Sequence, residues 1–495
     1  MPRFRKIVLI EPRAPRPHVF SRVALPRLGL PLLSAILRQQ GYQDIRIYVE
    51  DLAPVDLAEA ASADLVGIST ITGTSLRAYR LGSDIKRLNP RCAVVMGGAH
   101  VTFRPQEPFD SAFLNQYGIE QPVCDYVVCG EGDSLIVDLV RALESGERPE
   151  PILGARQPSA DGRRGKPTGL TPDLDCLPFP DLNSIVGRKR MHIAPVATSR
   201  GCPFDCYFCS VIEMFGQRMR YRSVEIDDPT SVIAEIRAMR HHEARSIFFY
   251  DDNFTANINR TKRLLENLIR ANLIPRSWTA QARATEVVRD RELLQLMRRT
   301  NCVMLYLGLE SVNQETLKEF NKKQDVAQVI AAIRVLREYG IRTHGMFVVG
   351  ADTDTVETIR ETAAFAIAHN ISTVQFMILT PLPGTRQYDR LDEEGRIFDR
   401  DWSRYDAHHT VFWPARMSPY ELQTETFRAM QRVYPWRRAI SAALAGNLMT
   451  SVLRGYGHRL IQRHLRQEAD YVRALPRRVW TGAMSLDRAI SAQPR

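Results

Sequence analysis

Short continuous apolar runs at residues 6–10, 44–49, 64–69, 93–97 and 125–129 alternate with stretches at 28–40, 74–88 and 133–143 whose apolar residues recur at helical spacing. The runs predict strands buried on both faces, and the stretches between them predict helices packed across those strands. Their alternation predicts an α/β domain over residues 1–150 built on a doubly wound, Rossmann-like parallel sheet. Ligands of such sheets gather at the carboxyl ends of the strands. Those ends read Ser69-Thr70-Ile71-Thr72-Gly73-Thr74, Gly97-Gly98-Ala99-His100-Val101-Thr102 and Gly130-Glu131-Gly132-Asp133. Glycines there let a backbone approach a ligand closely, and hydroxyls either cap the next helix or bond the ligand.

From residue 151 to 190 the pattern loosens into Pro, Gly and Arg and reads as a linker, with an exposed turn at Asp161-Gly162-Arg163-Arg164-Gly165-Lys166-Pro167. Alternation then resumes across 191–400, with strands expected at 194–199, 246–250, 278–282, 303–309, 343–349 and 373–379 and helices such as 290–299, 326–339 and 355–369. Six such units predict a partial (β/α)6 barrel whose chemistry sits at the strand C-termini. Residues 401–495 read as a mainly helical extension. It opens with a polar, aromatic stretch containing the adjacent His408 and His409, read as surface or orienting residues before ligands. A helix follows at 420–434, and then Ile440, Leu444, Leu448 and Val452 fall on one helical face, a pattern that predicts docking against the barrel.

A chain of 495 residues exceeds one ordinary core, and length alone suggests about three domains. The longest uncharged apolar-leaning run near the end, 439–453, is too short to span a bilayer. Met1 to Lys6 lead directly into a strand without a secretory h-region, and the eight cysteines are irregularly spaced, so a cytoplasmic, reducing setting is expected. Thirteen arginines and three acids lie between Arg428 and Arg495, so nearly all of the net charge of +11 belongs to the tail. That density offers a second reading of the extension, peripheral contact with an anionic membrane or another acidic partner.

One stretch is far more specific than the rest. Ser199-Arg200-Gly201-Cys202-Pro203-Phe204-Asp205-Cys206-Tyr207-Phe208-Cys209-Ser210 sets three thiols at C-x3-C-x2-C spacing immediately after the first expected barrel strand. Gly201 and Pro203 fit a sharp, non-helical path that turns the thiols towards one centre. A closed zinc site wants a fourth Cys or His nearby, whereas His192 lies ten residues before and His241 far downstream. Three thiolates on a [4Fe-4S] cluster leave one iron open for a non-protein ligand. The remaining cysteines, Cys92, Cys124, Cys129, Cys176 and Cys302, read as core or incidental residues.

Cys202, Cys206, Phe208 and Cys209 match position by position the C-x3-C-x-aromatic-C motif of the radical S-adenosylmethionine (SAM) enzymes, which the stretch resembles. The resemblance implies that SAM chelates the open iron and is cleaved to a 5'-deoxyadenosyl radical. It extends to the other strand ends and implies SAM contacts at Phe208, Asp251, Asp252, Arg283, Glu310, Ser311, Gly345, Val348, Gly350 and Thr380. The first 150 residues resemble the cobalamin-binding domains fused to such enzymes, through Pro26-Arg27-Leu28-Gly29-Leu30 and the Gly-Gly-x-His and Gly-Glu-Gly-Asp turns. That resemblance implies cobalamin contacts at Ser69, Thr70, Thr72, Thr74, Gly97, Gly98, His100, Gly130 and Glu131. The Asp-x-His-x-x-Gly signature that supplies a histidine to cobalt elsewhere is absent, as is usual in this fused family.

Together these resemblances imply a cobalamin-associated radical SAM enzyme that methylates an unactivated carbon of a small-molecule or lipid substrate, fed by a reductant such as flavodoxin or ferredoxin. Ring closure or rearrangement of a tetrapyrrole or lipid is the alternative chemistry. An RNA-modifying enzyme is a further one, but the chain has no second cysteine trio and no recognisable RNA-binding module, so nucleic acid is not the expected partner. A non-catalytic cobalamin or redox sensor would not need the full set of SAM-site strand ends.

Overall fold

The computed structural model describes residues 4–15, 25–154, 170–216, 219–239, 246–444, 446 and 448–482. The exposed turn expected at 161–167 lies outside them. The chain divides into two compact units, Met1–Pro203 with Ser210–Asp252 and Glu266–Arg276, and Phe204–Cys209 with Asn253–Leu265 and Ser277–Arg495.

The first unit contains a six-stranded parallel sheet of β1 (Lys6–Glu11), β2 (Asp44–Val49), β3 (Leu65–Ser69), β4 (Ala93–Gly97), β5 (Tyr126–Val128) and β6 (Ile152–Leu153), in the order β2-β1-β3-β4-β5-β6. Ile7, Val8, Leu9 and Ile10 of β1 are fully buried, as a central strand covered on both faces requires. Helices α1 (Gly29–Gln39), α2 (Ser75–Leu88) and α3 (Ile136–Ser145) connect the strands, and Leu37, Leu139 and Val140 pack in the core with Ile7 and Leu9. The order reverses between β1 and β3, which marks the crevice where a doubly wound sheet takes its ligand.

The segment read as a linker does more than connect. Residues Ile152 and Leu153 complete the sheet as β6, and Leu182 and Ile185 enter the same core. Asp181 accepts from Ser34 Oγ at 3.0 Å and Arg38 Nε at 2.7 Å, which ties this segment to α1.

The second sheet contains β7 (Ile193–Val196), β10 (Ser246–Phe249), β11 (Ser277–Ala282), β12 (Cys302–Glu310), β13 (Arg342–Val349) and β14 (Thr373–Ile378), in the order β14-β13-β12-β11-β10-β7. It is open, as a partial barrel requires. The run expected as one strand at 194–199 is divided: β7 stops at Val196, and Ser199–Arg200 forms β8, paired antiparallel with β9 (Arg220–Tyr221) in a small separate ribbon. The break falls where Thr198 leaves the sheet to donate its N–H to Asp251.

In the C-terminal extension α4 (Pro419–Val433) starts from a capping box of Ser418 and Glu421. Of the adjacent histidines read as surface or orienting, His408 is half-buried and His409 buried. His409 is fully buried, with Nδ1 2.9 Å from Asp406 and Nε2 3.1 Å from Glu468, and both histidines lie beside the His464 ring. The docking expected of Ile440, Leu444, Leu448 and Val452 does not occur. They lie on α5 (Trp436–Leu444) and α6 (Leu448–Gln467) and are exposed, because these two helices meet through small residues on their other faces, where Ala439 and Ala442 are buried.

Candidate functional site

The approach to the cysteine loop is held by carboxylates at the end of β10. Thr198 donates through its N–H (3.1 Å) and hydroxyl (2.8 Å) to the buried Asp251, and the Ser199 hydroxyl donates to the same group. Asp252 follows it. Burial pushes the Asp252 carboxyl up to about 7, the negative Asp251 adds to the rise, and a hydrogen bond from the Gly201 N–H opposes it. An acid so placed welcomes a cationic group.

The loop from Phe204 to Cys209 is braced within the second unit. Arg283, the first residue after β11, lies with its guanidinium 3.6 Å from the centre of the Phe204 ring, points Nη1 at Cys206 Sγ (4.0 Å) and donates Nη2 to the Lys322 carbonyl. Asn321 Nδ2 donates to the Asp205 carbonyl (2.8 Å), and Tyr207 N–H to the Phe320 carbonyl (3.3 Å). Phe208 meets Phe320 edge to face at 4.9 Å. On the far side Arg386 covers the Tyr207 ring and pairs with Asp205. The Phe320-Asn321-Lys322 turn and Arg386 thus fix the loop from two sides, and neither belongs to a motif that would have singled them out in the sequence.

Cys202, Cys206 and Cys209 are unbridged thiols, Cys206 buried and the other two half-buried. Among the described residues no three Cys, His, Asp or Glu side chains converge on a single metal ion. A four-iron cluster takes each thiolate on a different iron, and three cysteines at C-x3-C-x2-C spacing are a donor set that suits it. Arg283 Nε, Asn253 Nδ2, Glu286 Oε2 and Gln324 Oε1 are buried without hydrogen-bond partners among the described residues. Such atoms cost free energy unless a polar ligand satisfies them. The donor set fits a cluster, and the unsatisfied groups fit a zwitterionic nucleoside such as SAM.

The later strand ends are ordered locally. Glu310 ends β12 in the left-handed region (φ 60°) and forms a buried ion pair with Lys322 at 2.5 Å, while Gln324 Nε2 donates to the Gly308 and Leu309 carbonyls. Ser311 Oγ accepts the Asn313 N–H. Beyond β13, Asp354 accepts the N–H groups of Gly350 and Ala351; burial pushes its carboxyl up to about 6 against those hydrogen bonds. Gly345 lies beneath Leu309 and Ile371, Val348 is buried, and Thr380 Oγ1 donates to the Ile378 carbonyl. Lys322 and Asp354 are site neighbours that no sequence motif announced.

At the carboxyl edge of the first sheet, the loops after β3, β4 and β5 are joined into one surface. Thr70 donates through N–H (2.7 Å) and hydroxyl (2.8 Å) to the Gly97 carbonyl, and Thr102 Oγ1 links the Gly98 carbonyl to the Gly130 N–H. Gly98 has φ 99°, and a Cβ there would sit 2.4 Å from the Thr70 carbonyl oxygen. Its glycine is required by this loop-to-loop contact. Thr74 Oγ1 closes the turn at Ile71, Thr72 is buried, and Ser69 and Gly97 stay half-buried at the rim. His100, the one histidine among the described residues of this sheet and its helices, is fully buried with Nε2 2.9 Å from Glu107, which also accepts from Tyr79 OH. A rim of small residues joined loop to loop, with His100 turned inward to Glu107, fits a corrin, which Ser69, Gly97, Gly98 and Gly130 would contact.

Glu131 stands apart from that rim. It is buried, accepts two hydrogen bonds from Arg220 and one from the Thr171 N–H, and lies 3.0 Å from Arg200, which also pairs with Asp133. Burial alone would raise its carboxyl, but the two arginines hold it below the usual carboxylate range. The Gly-Glu-Gly-Asp turn thereby grips both strands of the β8–β9 ribbon.

Two family models match the chain: Radical SAM superfamily over residues 196–366 and B12 binding domain over 21–140. An uncharacterised methyltransferase of Pyrococcus horikoshii is 32% identical over 418 residues, covering 81% of this chain and 86% of that protein. The anaerobic magnesium-protoporphyrin IX monomethyl ester cyclase of Rubrivivax gelatinosus is 28% identical, over 83% of this chain and 74% of its own length. Among solved structures, the radical SAM methyltransferase TsrM of Kitasatospora setae superposes with a TM-score of 0.61 at 19% identity, over 79% of this chain and 77% of that one, a likeness of fold.

Proposed function

This chain belongs to the radical SAM superfamily and also carries a B12-binding domain, and from that premise we propose that it methylates an unactivated carbon of a small-molecule or lipid substrate. When bound, the [4Fe-4S] cluster with SAM supplies hydrogen-atom abstraction, and cobalamin supplies a methyl carrier. The chain's own residues supply placement. Cys202, Cys206 and Cys209 hold the cluster, and Arg283 fixes the loop that carries two of them. Asp252 is the acid assigned to SAM's ammonium and Glu310 the one assigned to its ribose, and Ser311, Gly345, Val348, Gly350 and Thr380 are the further residues assigned to SAM. Ser69, Gly97, Gly98 and Gly130 line the rim offered to the corrin.

The observation that carries the reading is the loop of Cys206 and Cys209 braced by Arg283, whose buried Nε has no hydrogen-bond partner among the described residues. Methylation is preferred because the relative that is 32% identical is a methyltransferase; ring closure is the second reading, supported by the cyclase at 28%. The test is anaerobic reconstitution with iron, sulfide, SAM, a low-potential reductant such as flavodoxin or ferredoxin, and candidate tetrapyrrole or lipid acceptors, with and without methylcobalamin. A product heavier by one methyl group, formed only with methylcobalamin, supports methylation. A product that has lost hydrogen at unchanged carbon count overturns it in favour of cyclisation.

A further inference from the structure

The hairpin of α5 and α6 is built inside out. Its inner contact uses Ala439, Ala442 and Gly455, while the large apolar side chains face solvent: Leu444 is 85% exposed, Leu448 69% and Val452 66%, and Trp436, Ile440 and Tyr456 are about half exposed. These six positions recur every fourth residue along both helices, so each helix presents one apolar line outward. The base of the hairpin is fastened. Tyr434 OH donates to the Val374 carbonyl at 2.7 Å, the His458 ring bonds the Tyr434 carbonyl at 3.0 Å, and Gly457 lets α6 pass so close to Tyr434 that a Cβ would lie 3.0 Å from its ring. The apolar lines therefore belong to a fixed element, not to a loosely attached tail.

The charge around them has one sign. From residue 426 to 467 the chain carries eight arginines and no Asp or Glu. Arg437, Arg459, Arg463 and Arg466 are exposed, and none of the four has a carboxylate partner among the described residues. Monomeric proteins rarely leave contiguous apolar surface of this kind uncovered. A second copy of the chain is a poor cover, since a twofold contact through this face would set arginine-rich helices against each other with no acid to offset them. An anionic lipid surface satisfies both features at once: apolar side chains enter the acyl boundary and guanidinium groups stay among the phosphates.

We propose that the α5–α6 hairpin is a monotopic membrane-docking element, in which Trp436, Ile440, Leu444, Leu448, Val452 and Tyr456 insert shallowly into an anionic bilayer and the surrounding arginines bind its headgroups. No described helix is long and apolar enough to cross the membrane, so docking is to one face only. This surface is independent of the catalytic reading: it stands or falls with the hairpin.

The test is co-sedimentation of the full-length reconstituted protein with phosphatidylcholine vesicles and with vesicles of equal parts phosphatidylcholine and phosphatidylglycerol. Binding is expected to the anionic vesicles, to be weakened by 0.5 M salt as the screening length falls below about 8 Å, and to fall roughly tenfold in Leu444→Asp/Leu448→Asp. Arg437→Glu/Arg459→Glu keeps the apolar lines and is expected to lose the preference for anionic lipid. Reductive SAM cleavage in vesicle-free solution is expected to be unchanged in both variants, which separates this test from that of the chemistry. Failure to bind anionic vesicles overturns the proposal, as does undiminished binding by the Leu444→Asp/Leu448→Asp variant. A wild-type dimer that dissociates in that variant without any vesicle binding assigns the face to a second copy instead. Capture of RNA in preference to anionic vesicles, insensitive to the leucine substitutions, assigns it to nucleic acid.

Discussion

Glu131 and Arg220 form a buried, two-pronged ion pair, with Nη1 and Nη2 of the guanidinium each 2.8 Å from a different carboxylate oxygen. Arg220 stands directly opposite Arg200 in the β8–β9 ribbon, and Arg200, which also reaches Glu131, precedes Cys202 by two residues. A turn at the edge of the first sheet therefore sets the path by which the chain enters the cysteine loop. The parallel donors of arginine match a carboxylate in a way lysine does not.

Glu131→Gln is expected to lower unfolding free energy by roughly 3 to 5 kcal/mol, since it leaves the buried Arg220 without its acid and the half-buried Arg200 with Asp133 alone. Arg220→Lys is expected to cost less but still to weaken the pair. Because the Glu131 carboxyl is held below its ordinary value, its contribution is present above about pH 4.5 and fades only as pH falls through the lowered value. Urea denaturation at several pH values measures both effects, and an unchanged midpoint in Glu131→Gln would contradict the clamp.

Replacement of Cys202, Cys206 or Cys209 by Ala is expected to remove the iron–sulfur absorbance and SAM cleavage together, whereas Cys92→Ala, Cys124→Ala and Cys302→Ala keep both. Burial pushes the Cys92 thiol up to about 11, and the Cys124 and Cys302 thiols are raised further still, so these remain protonated and make poor ligands. Iron and sulfide content of the anaerobically reconstituted variants is the measurement.

His100→Ala is expected to leave the visible spectrum of bound cobalamin unchanged, because the imidazole is turned inward to Glu107. The same substitution is expected to destabilise the protein by roughly 1 to 3 kcal/mol, since it empties a fully buried side-chain site and takes one hydrogen bond from Glu107. A spectral change of the kind produced by loss of an axial nitrogen would overturn this placement.

The Asp406–His409–Glu468 group gives stability a dependence on alkaline pH. Burial would depress the His409 pKa, but Asp406 first and then Glu468 raise it to about 9, while His409 holds Asp406 at about 2 against its own burial. His464, also buried against His409, is pushed down to about 4 and stays neutral. A histidine raised on folding contributes fully below about pH 6.5 and loses its contribution as pH climbs through about 9, a change on the order of 3 kcal/mol. Asp406 acts at the other end, contributing above about 3.8 and failing as pH falls through about 2. His409→Gln is expected to flatten the decline between pH 6.5 and 9 in a series of chemical denaturations.

The strands and the cysteine loop were legible because their signals are local. A buried strand shows itself as an uninterrupted apolar run, so β2 and β4 fall where the pattern placed them, and three thiols within eight residues mark a candidate cluster loop whatever surrounds it. Local signals also limited the reading. The break between β7 and β8 depends on Asp251, more than fifty residues away in sequence from Thr198, and Glu131 meets Arg220 across 89 residues. Which acid pairs with which base is set by the packing of sheets and ribbon, so Glu131 looked from its turn like a ligand contact although the fold commits it to two arginines. Lys322, which pairs with Glu310 and lends its carbonyl to Arg283, lies in an unmarked turn. The fourfold spacing of Ile440, Leu444, Leu448 and Val452 fixed that these residues share a face, because helical geometry alone dictates it. Whether that face is covered is decided by which neighbours fill the opposite one, and here Ala439, Ala442 and Gly455 allowed the two helices to pack on each other and leave the large side chains in solvent.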